Sequence, residues 1–183
     1  MCWNLFLALV SLKLGFIFSD TKKTSLKILL AFMWLLFVPN TIYIVTDLIH
    51  FPYQWSVLIG LDRFVLLLQY LLFIPLGILT YIMSFEVFFK AAVAMLSKYN
   101  FHFKMLAPTY SILYLLINCL ISLGMFLGRI QRTNSWDLIT DPIRVFSDIQ
   151  VLTSSHHQII LVLLFGFLLT ILMKIRTKFF LPV

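Results

Sequence analysis

Five apolar segments separated by short polar connections dominate the chain, at residues 1–18, 28–50, 64–89, 105–127 and 156–173. An apolar run of about 18 residues or more can cross the hydrocarbon core of a bilayer as an α-helix. Hydrophobic residues make up 62% of the 183 residues, and a chain this short cannot bury so much apolar surface in a water-soluble core. The sequence therefore predicts an all-α, polytopic transmembrane bundle of about five helices. This bundle forms one membrane domain over residues 1–183, with the lipid bilayer as its solvent.

A shorter amphipathic pattern over residues 142–153 predicts one further helix, lying in the membrane interface. Asp141 followed by Pro142 is typical of an N-cap with proline at the first helical position. The helical spacing predicts that one face of this helix carries Val145, Phe146, Ile149 and Leu152.

The distribution of basic residues predicts the orientation of the bundle. With the N-terminus outside, the lysines and Arg176 face the cytoplasm, and the outer side carries only Arg63, Arg129, Arg132 and Arg144. The positive-inside rule favours this arrangement, with a cytoplasmic C-terminus and, if residues 1–18 span, an outer N-terminus. A formal net charge of +7 can also indicate nucleic-acid binding. Because the charges lie in short connections between spans, we expect no nucleic-acid partner.

The second apolar segment contains a polar stripe formed by Asn40, Tyr43, Asp47 and His50. On a regular helix these four side chains fall within roughly 80° of each other. An ionisable group exposed to hydrocarbon costs several kcal/mol, so we expect the stripe to face protein or water. Pro39 lacks the N–H that would bond the carbonyl four residues earlier. The neighbouring Asn40 could satisfy the loosened backbone, in which case the pair is either a packing kink or part of a site.

A second polar stretch begins where the fourth span ends, and it contains Arg129, Arg132, Asn134, Ser135, Trp136 and Asp137. The predicted topology places it on the same side of the membrane as the end of the polar stripe. We treat the ten residues of the two stretches as candidate ligand-binding residues.

Asp47 lies near the C-terminus of its helix, where the macrodipole disfavours an anion, and it therefore requires a cation. Arg129 or Arg132 is the expected partner. In one interpretation, the pair is a salt bridge that locks two helices together. In the other, the arginines form an anion site for a phosphate or a lipid headgroup, and the carboxylate orients them.

Metal binding receives less support from the sequence. Asp47, His50, Asp137, His156 and His157 are of types that coordinate metals, but no HExxH motif and no Cys/His cluster is present. The sequence therefore assigns no metal site, identifies no cofactor and contains no motif for a catalytic nucleophile.

Two stretches of the chain resemble a known family. LLFVPNTIYIVTDLIHF, residues 35–51, and LGRIQRTNSWDLITDP, residues 127–142, are similar to the signature stretches of a bacterial integral membrane family, domain of unknown function 1361. The sequence departs at Thr133, where the family suggests an aromatic residue, and at Asp141, where it suggests an amide. The resemblance implies a multi-pass protein of the bacterial inner, or sole, membrane. It implies no established activity, and no catalytic role is carried over.

Three functions are compatible with these residues. The first is a non-catalytic or accessory membrane protein that binds an anionic small molecule or lipid headgroup through Arg129 and Arg132. The second is a membrane enzyme acting on a lipid-linked substrate, with Asp47, His50 and Asp137 in acid–base or metal chemistry. The third is a structural subunit whose polar stripe only packs helices. Each is compatible with a homo-oligomer or with a partner in a membrane complex.

Overall fold

The computed structural model describes residues 2–97 and 107–180, and every regular element in these ranges is helical. The α-helices are α1 Cys2–Asp20, α2 Thr24–Phe37, α3 Pro39–Thr46, α4 Phe51–Val57, α5 Leu61–Ser97, α6 Ala107–Phe126, α7 Asp137–Thr140, α8 Pro142–Ser154 and α9 His156–Phe180. A 3-10 turn, Asp47–His50, connects α3 to α4, and a π-helical turn, Leu127–Gln131, extends α6.

Five stretches are long and apolar enough to cross a membrane: Cys2–Asp20, Thr24–Val57, Leu61–Leu96, Ser111–Gln131 and His156–Arg176. In their most apolar windows, 28% of the residues are buried inside the protein, except in the second stretch, where 44% are. The remaining apolar side chains require an apolar solvent, so this is a multi-pass membrane protein. The predicted all-α bundle is confirmed, with longer second and third spans. Residue 1 and residues 105–106 of the predicted spans lie outside the described residues.

The chain divides into two compact units, Met1–Ala92 and Val93–Val183, and the boundary falls within α5. Aromatic packing holds the first unit together. Trp34 of α2 lies parallel to Phe88 of α5 with 3.9 Å between ring centroids, and Phe18 of α1 lies 4.7 Å from the same ring. Because all three rings are buried and in contact, they fix the positions of three helices.

A buried chain of hydrogen bonds connects the same three helices. The indole N–H of Trp34 donates to Ser84 Oγ at 2.8 Å, and Ser84 Oγ lies 3.3 Å from Ser11 Oγ. The Ser11 hydroxyl donates to the Ala8 carbonyl at 2.8 Å, so Ser84 is the donor between the two serines. Each donor in this chain has a partner, as burial away from water requires.

Helix α3 is held close to α5 at a glycine. A Cβ on Gly77 would lie 2.9 Å from the carbonyl oxygen of Thr41 and 3.1 Å from Ile44 Cβ, and both atoms belong to α3. Only glycine allows this approach, which places the first signature stretch against α5.

In the second unit, α6 packs against α9. A Cβ on Gly166 of α9 would lie 2.9 Å from the Cα of Cys119, so the two backbones approach closely there. Asn118 Nδ2 donates to Thr170 Oγ1 at 3.1 Å, and the Thr170 hydroxyl donates to the Gly166 carbonyl at 2.9 Å. Since both side chains are buried, these bonds stabilise the contact between the helices.

Helix α8 confirms the predicted short helix, and the residues of its expected apolar face differ in burial. Val145 and Leu152 are buried, and Ile149 packs against the apolar cluster that includes Leu152. Phe146 is 66% exposed, because it lies about 100° around the helix from Val145 and faces away with Ile143. The location of α8 in the membrane interface stays a prediction.

Candidate functional site

The first signature stretch contains a break in the helix at Pro39. α2 ends at Phe37, α3 begins at Pro39, and Val38 forms a turn between them. The Thr41 amide and hydroxyl both donate to the Val38 carbonyl, at 3.1 and 2.7 Å. The side-chain amide of Asn40 donates to the Phe37 carbonyl at 2.9 Å. Asn40 therefore satisfies backbone beside the proline, as predicted in kind, although the carbonyl that it reaches is that of Phe37 and not the one four residues before Pro39.

A second proline explains the 3-10 turn at Asp47–His50. Pro52 has no N–H to donate to the Leu48 carbonyl, which instead accepts the amide of Phe51 in a tighter bond. The chain then begins α4 at Phe51, with the proline in its first turn. The polar stripe therefore does not lie on one regular helix: Asn40 and Tyr43 belong to α3, and the other two residues belong to the turn.

Tyr70 of α5 anchors this turn, and sequence reasoning missed it. Its hydroxyl lies 3.0 Å from the carbonyl oxygen of Asp47 and 3.0 Å from Gln54 Oε1, so one proton is shared between two acceptors. Its ring also packs edge-on against Phe51, with 5.0 Å between centroids. A tyrosine inside an apolar span was the available signal, because a buried phenol normally finds a hydrogen-bond partner.

The four residues of the predicted stripe differ in exposure. Asn40 and Asp47 are buried, at 4% and 9% exposure, whereas Tyr43 is half-buried and His50 is exposed. The two breaks in the helix separate side chains that a straight helix would align. Asp47 is therefore the ionisable group of this stretch that is shielded from water.

The second signature stretch begins in the π-helical turn. Arg129 lies within this turn and is half-buried. Arg132 follows the turn in the left-handed conformation, at φ 57° and ψ 32°, and its amide donates to the Leu127 carbonyl. Residues other than glycine adopt this conformation infrequently, and π turns occur often at functional sites. Both irregularities coincide with the two arginines that the sequence analysis selected.

The Arg132 side chain is exposed, and its guanidinium makes no hydrogen bond or ion pair with any residue that the structure describes. A guanidinium carries five N–H donors in a planar fork, which matches the geometry of phosphate and carboxylate groups. Arg132 can therefore contact an external anion without breaking a described bond.

Asp137 closes the loop that follows Arg132. Its Oδ2 accepts the Asn134 backbone amide at 2.7 Å and the Asn134 side-chain amide at 3.3 Å. The Asp137 amide donates back to the Asn134 carbonyl at 3.0 Å. Asp137 is 7% exposed, so these bonds replace water that its carboxylate loses. Ser135 and Trp136 form the tip of the loop, while Asn134 and Asp137 define its shape.

The residues proposed as metal ligands do not form a cluster. Within residues 2–97 and 107–180, no three His, Cys, Asp or Glu side chains form a group that could hold a metal ion. His156 and His157 lie in the first turn of α9, and both are exposed, as is His50 in the first unit. The described geometry therefore gives no support to a metal site.

The candidate residues fall into two sets, one in each compact unit. The first set is Asn40, Tyr43, Asp47 and His50, and the second is Arg129, Arg132, Asn134, Ser135, Trp136 and Asp137. Within the second set, the loop bonds bring Asn134 and Asp137 together. The pairing of Asp47 with Arg129 or Arg132 stays a prediction.

Both stretches lie inside a match to a known family. The family model described as protein of unknown function (DUF1361) matches residues 3–172. The chain belongs to this family. The resemblance of the two stretches is thereby confirmed over nearly the whole chain. No curated protein and no solved structure matches the chain. The DUF1361 family has no known function, so a function can be inferred only from the residues and their geometry.

Two positions differ from the residues that the DUF1361 resemblance suggested, and each has a local role. Thr133, in place of an aromatic residue, donates to Asp148 Oδ2 of α8 at 2.7 Å. Arg144 lies 3.8 Å from the same carboxylate oxygen and donates to the Gln131 carbonyl at 3.5 Å. Asp141, in place of an amide, caps α8 by accepting the amide of Arg144 at 3.2 Å. These contacts attach α8 to the end of the π turn.

Proposed function

We propose that this membrane protein binds an anionic small molecule or a lipid headgroup through Arg129 and Arg132. The observation that carries the proposal is the left-handed backbone of Arg132 beside a π turn, with the guanidinium exposed. Two arginines three residues apart offer several N–H donors to the oxygens of one phosphate.

The conformation of Arg132 supports a binding role for its side chain, in contrast to a role in stabilising the fold. An L-residue in the left-handed region costs about 1–2 kcal/mol relative to the right-handed one. Glycine would form the same turn without this penalty. Residues with strained backbone cluster at functional sites, where the strained conformation holds the side chain in the position that its function requires. An exposed arginine without a described partner fits an anion-binding role better than a structural one.

The loop after Arg132 supports the same proposal. Asp137 and Asn134 hold it through three hydrogen bonds of 2.7 to 3.3 Å, so the tip is ordered before any ligand arrives. A preformed loop lowers the entropy cost of binding. Trp136 at the tip is 38% exposed, and an indole of this kind favours the headgroup level of a bilayer.

Thermal unfolding of the detergent-purified protein tests the proposal, with inorganic phosphate, glycerol 3-phosphate and phosphatidylglycerol as probes. We expect the probes to raise the unfolding temperature of the wild type and to have at least about tenfold lower affinity for Arg132→Gly, because a hydrogen bond to a charged group contributes about 1.5–3 kcal/mol. Lys90→Gln removes an exposed charge elsewhere and should behave as wild type. Equal responses of Arg132→Gly and wild type would contradict the proposal. A response to phosphatidylglycerol alone would identify the lipid headgroup as the source of the anion.

The role of Asp47 is tested separately. Asp47→Asn and Arg129→Gln are compared singly and together, and Asp47→Arg is combined with Arg129→Asp. Loss of folded yield in each single variant, with recovery in the charge-swapped protein, would indicate a structural bridge. Stable single variants with weakened phosphate binding would support a carboxylate that orients the arginines.

We further propose that the protein lies in a bacterial inner membrane with its N-terminus and Arg132 outside, which the distribution of lysines and arginines supports. Cys2 is exposed and free, so it reports the side of the N-terminus. In a Cys119→Ser background, a membrane-impermeant maleimide should label Cys2 in intact spheroplasts. Labelling only after lysis would place the N-terminus inside and contradict the proposed orientation.

A further inference from the structure

An apolar groove lies on the first unit, beside the 3-10 turn. It is lined by Leu48, Phe51, Leu67, Tyr70, Leu71, Ile74 and Pro75, and its volume is about 270 Å³. Cavities that hold whole drug-sized ligands measure about 300–1,000 Å³. The α5 residues of the lining extend from Leu67 to Pro75, which corresponds to about 12 Å along the helix. The groove therefore has the length and polarity for part of one hydrocarbon chain.

A cation lies one helical turn from the groove on the same face of α5. Arg63, Leu67, Tyr70 and Ile74 follow each other at spacings of four, three and four residues, so they form one stripe. Arg63 is about 6 Å along the axis from Leu67. The positive end of this stripe and the apolar groove together match an amphiphile with an anionic head.

Aromatic contacts connect Arg63 to the groove. Its guanidinium lies over the Trp55 ring, 5.4 Å from the centroid, and Trp55 stacks on Phe51 at 5.6 Å. Phe51 in turn packs against Tyr70, and both line the groove. Tryptophan and tyrosine favour the level of the headgroups in a bilayer. This row of rings therefore leads from the headgroup level to the groove.

Arg63 retains donors for an external anion. Its Nε donates to the Leu58 carbonyl at 2.7 Å, which fixes the side chain. Its two terminal nitrogens form no hydrogen bond or ion pair with a described residue, and the adjacent Asp62 is not paired with it. A guanidinium that is held in place and keeps both terminal NH2 groups available can donate to the oxygens of a phosphodiester.

We propose that an anionic glycerophospholipid binds this surface, with an acyl chain in the groove and its phosphate on Arg63. Hydrocarbon in a groove gains little over hydrocarbon in the surrounding bilayer, so the groove positions the chain and Arg63 supplies the headgroup preference. This site lies in the first unit and is independent of the anion site proposed at Arg132.

Native mass spectrometry of the full chain, released from detergent, tests this assignment. The protein is incubated with phosphatidylglycerol or phosphatidylcholine of identical acyl chains. Arg63→Gln should lower the preference for phosphatidylglycerol by about fivefold, the effect of one basic residue near an anionic lipid surface. Lys22→Gln removes an exposed charge on another surface, and Arg132→Gly removes the other proposed anion contact. Each of these two variants should change the preference for phosphatidylglycerol by less than Arg63→Gln does.

A second pair of variants tests the groove with a matched control. Leu71 and Leu72 are both 60% exposed, but only Leu71 lines the groove. Leu71→Trp should fill it and lower the retention of both lipids after release from detergent, where no bilayer competes for the acyl chain, whereas Leu72→Trp should retain them as wild type does. Equal retention by the two tryptophan variants, or an unchanged headgroup preference in Arg63→Gln, would overturn the proposal. So would conversion of a dimer to a monomer by Leu71→Trp, or stronger binding of a polyprenyl phosphate than of phosphatidylglycerol.

Discussion

Replacement of Arg132 by glycine should stabilise this protein while removing its proposed ligand contact. The left-handed backbone at φ 57° costs an L-residue about 1–2 kcal/mol. Glycine avoids this cost but loses about 0.5–1 kcal/mol more than other residues in backbone entropy on folding. We therefore expect Arg132→Gly to raise the free energy of unfolding by about 0.5–1 kcal/mol.

The matched comparison is Arg132→Ala, which removes the same exposed guanidinium but keeps the left-handed strain. Its stability should equal that of wild type within about 0.5 kcal/mol, because surface substitutions that break no contact have small effects. Unfolding by sodium dodecyl sulfate in mixed micelles, followed by tryptophan fluorescence, measures the difference. In thermal unfolding, the glycine variant should melt about 1–4 °C above the alanine variant.

Gly60 supplies an internal calibration of the same backbone effect. It has φ +59°, and a Cβ added there would meet nothing within 4 Å. Gly60→Ala should therefore lose about the stability that Arg132→Gly gains, through conformation alone. If Gly60→Ala is destabilising but Arg132→Gly is no more stable than Arg132→Ala, then the backbone at Arg132 is not strained. The conformation of Arg132 would then give no support to a binding role for its side chain.

Three further predictions concern contacts inside each of the two units. Ser84→Ala should cost about 1–3 kcal/mol by leaving the buried indole N–H of Trp34 without an acceptor, and Trp34→Phe in the same protein should reduce this loss in a double-mutant cycle. Gly77→Ala should destabilise the protein by about 1–3 kcal/mol, because its Cβ would lie 2.9 Å from a carbonyl oxygen of α3; Gly15→Ala, whose nearest atom would be at 3.4 Å, is the tolerated control in the same unfolding assay. Asp137→Ala should increase hydrogen exchange at the loop amide that its Oδ2 accepts at 2.7 Å, and unchanged protection there would show that the carboxylate does not hold the loop.

The architecture could be predicted from sequence because its signals are local. The length of each apolar run indicated a span, and Asp141 before Pro142 indicated the start of α8. The exposure of Phe146 could not be predicted in this way. A helical repeat gives the centre of an apolar face, but the residues at its edge depend on the width of the neighbouring elements. In this unit, the stripe through Val145, Ile149 and Leu152 is narrow, so Phe146 lies outside it.

The irregular backbone was less accessible from sequence. Pro52 was a usable signal for the 3-10 turn, because proline removes the donor that the Leu48 carbonyl needs. The π turn and the left-handed residue had no such signal, since a glycine would normally mark a left-handed position and arginine occupies it. The ligand-site role predicted for Asp137 stays a prediction, but the bond from its carboxylate to the loop was not foreseen. An Asn three residues before an Asp was a readable pattern for that local bond.

The polar residues of the two signature stretches fall into two groups, those whose side chains bond to irregular backbone and those whose side chains do not. Irregular backbone that is shielded from water must find hydrogen-bond partners within the protein. Asn40 and Asp137 provide such partners, at the break after α2 and in the loop after α6, so each has a structural role beside the binding role proposed for it. The Arg132 side chain provides none to any described residue, and its left-handed backbone favours glycine over most other residues. If Arg132 binds the proposed anion, its replacement by glycine should therefore separate binding from stability.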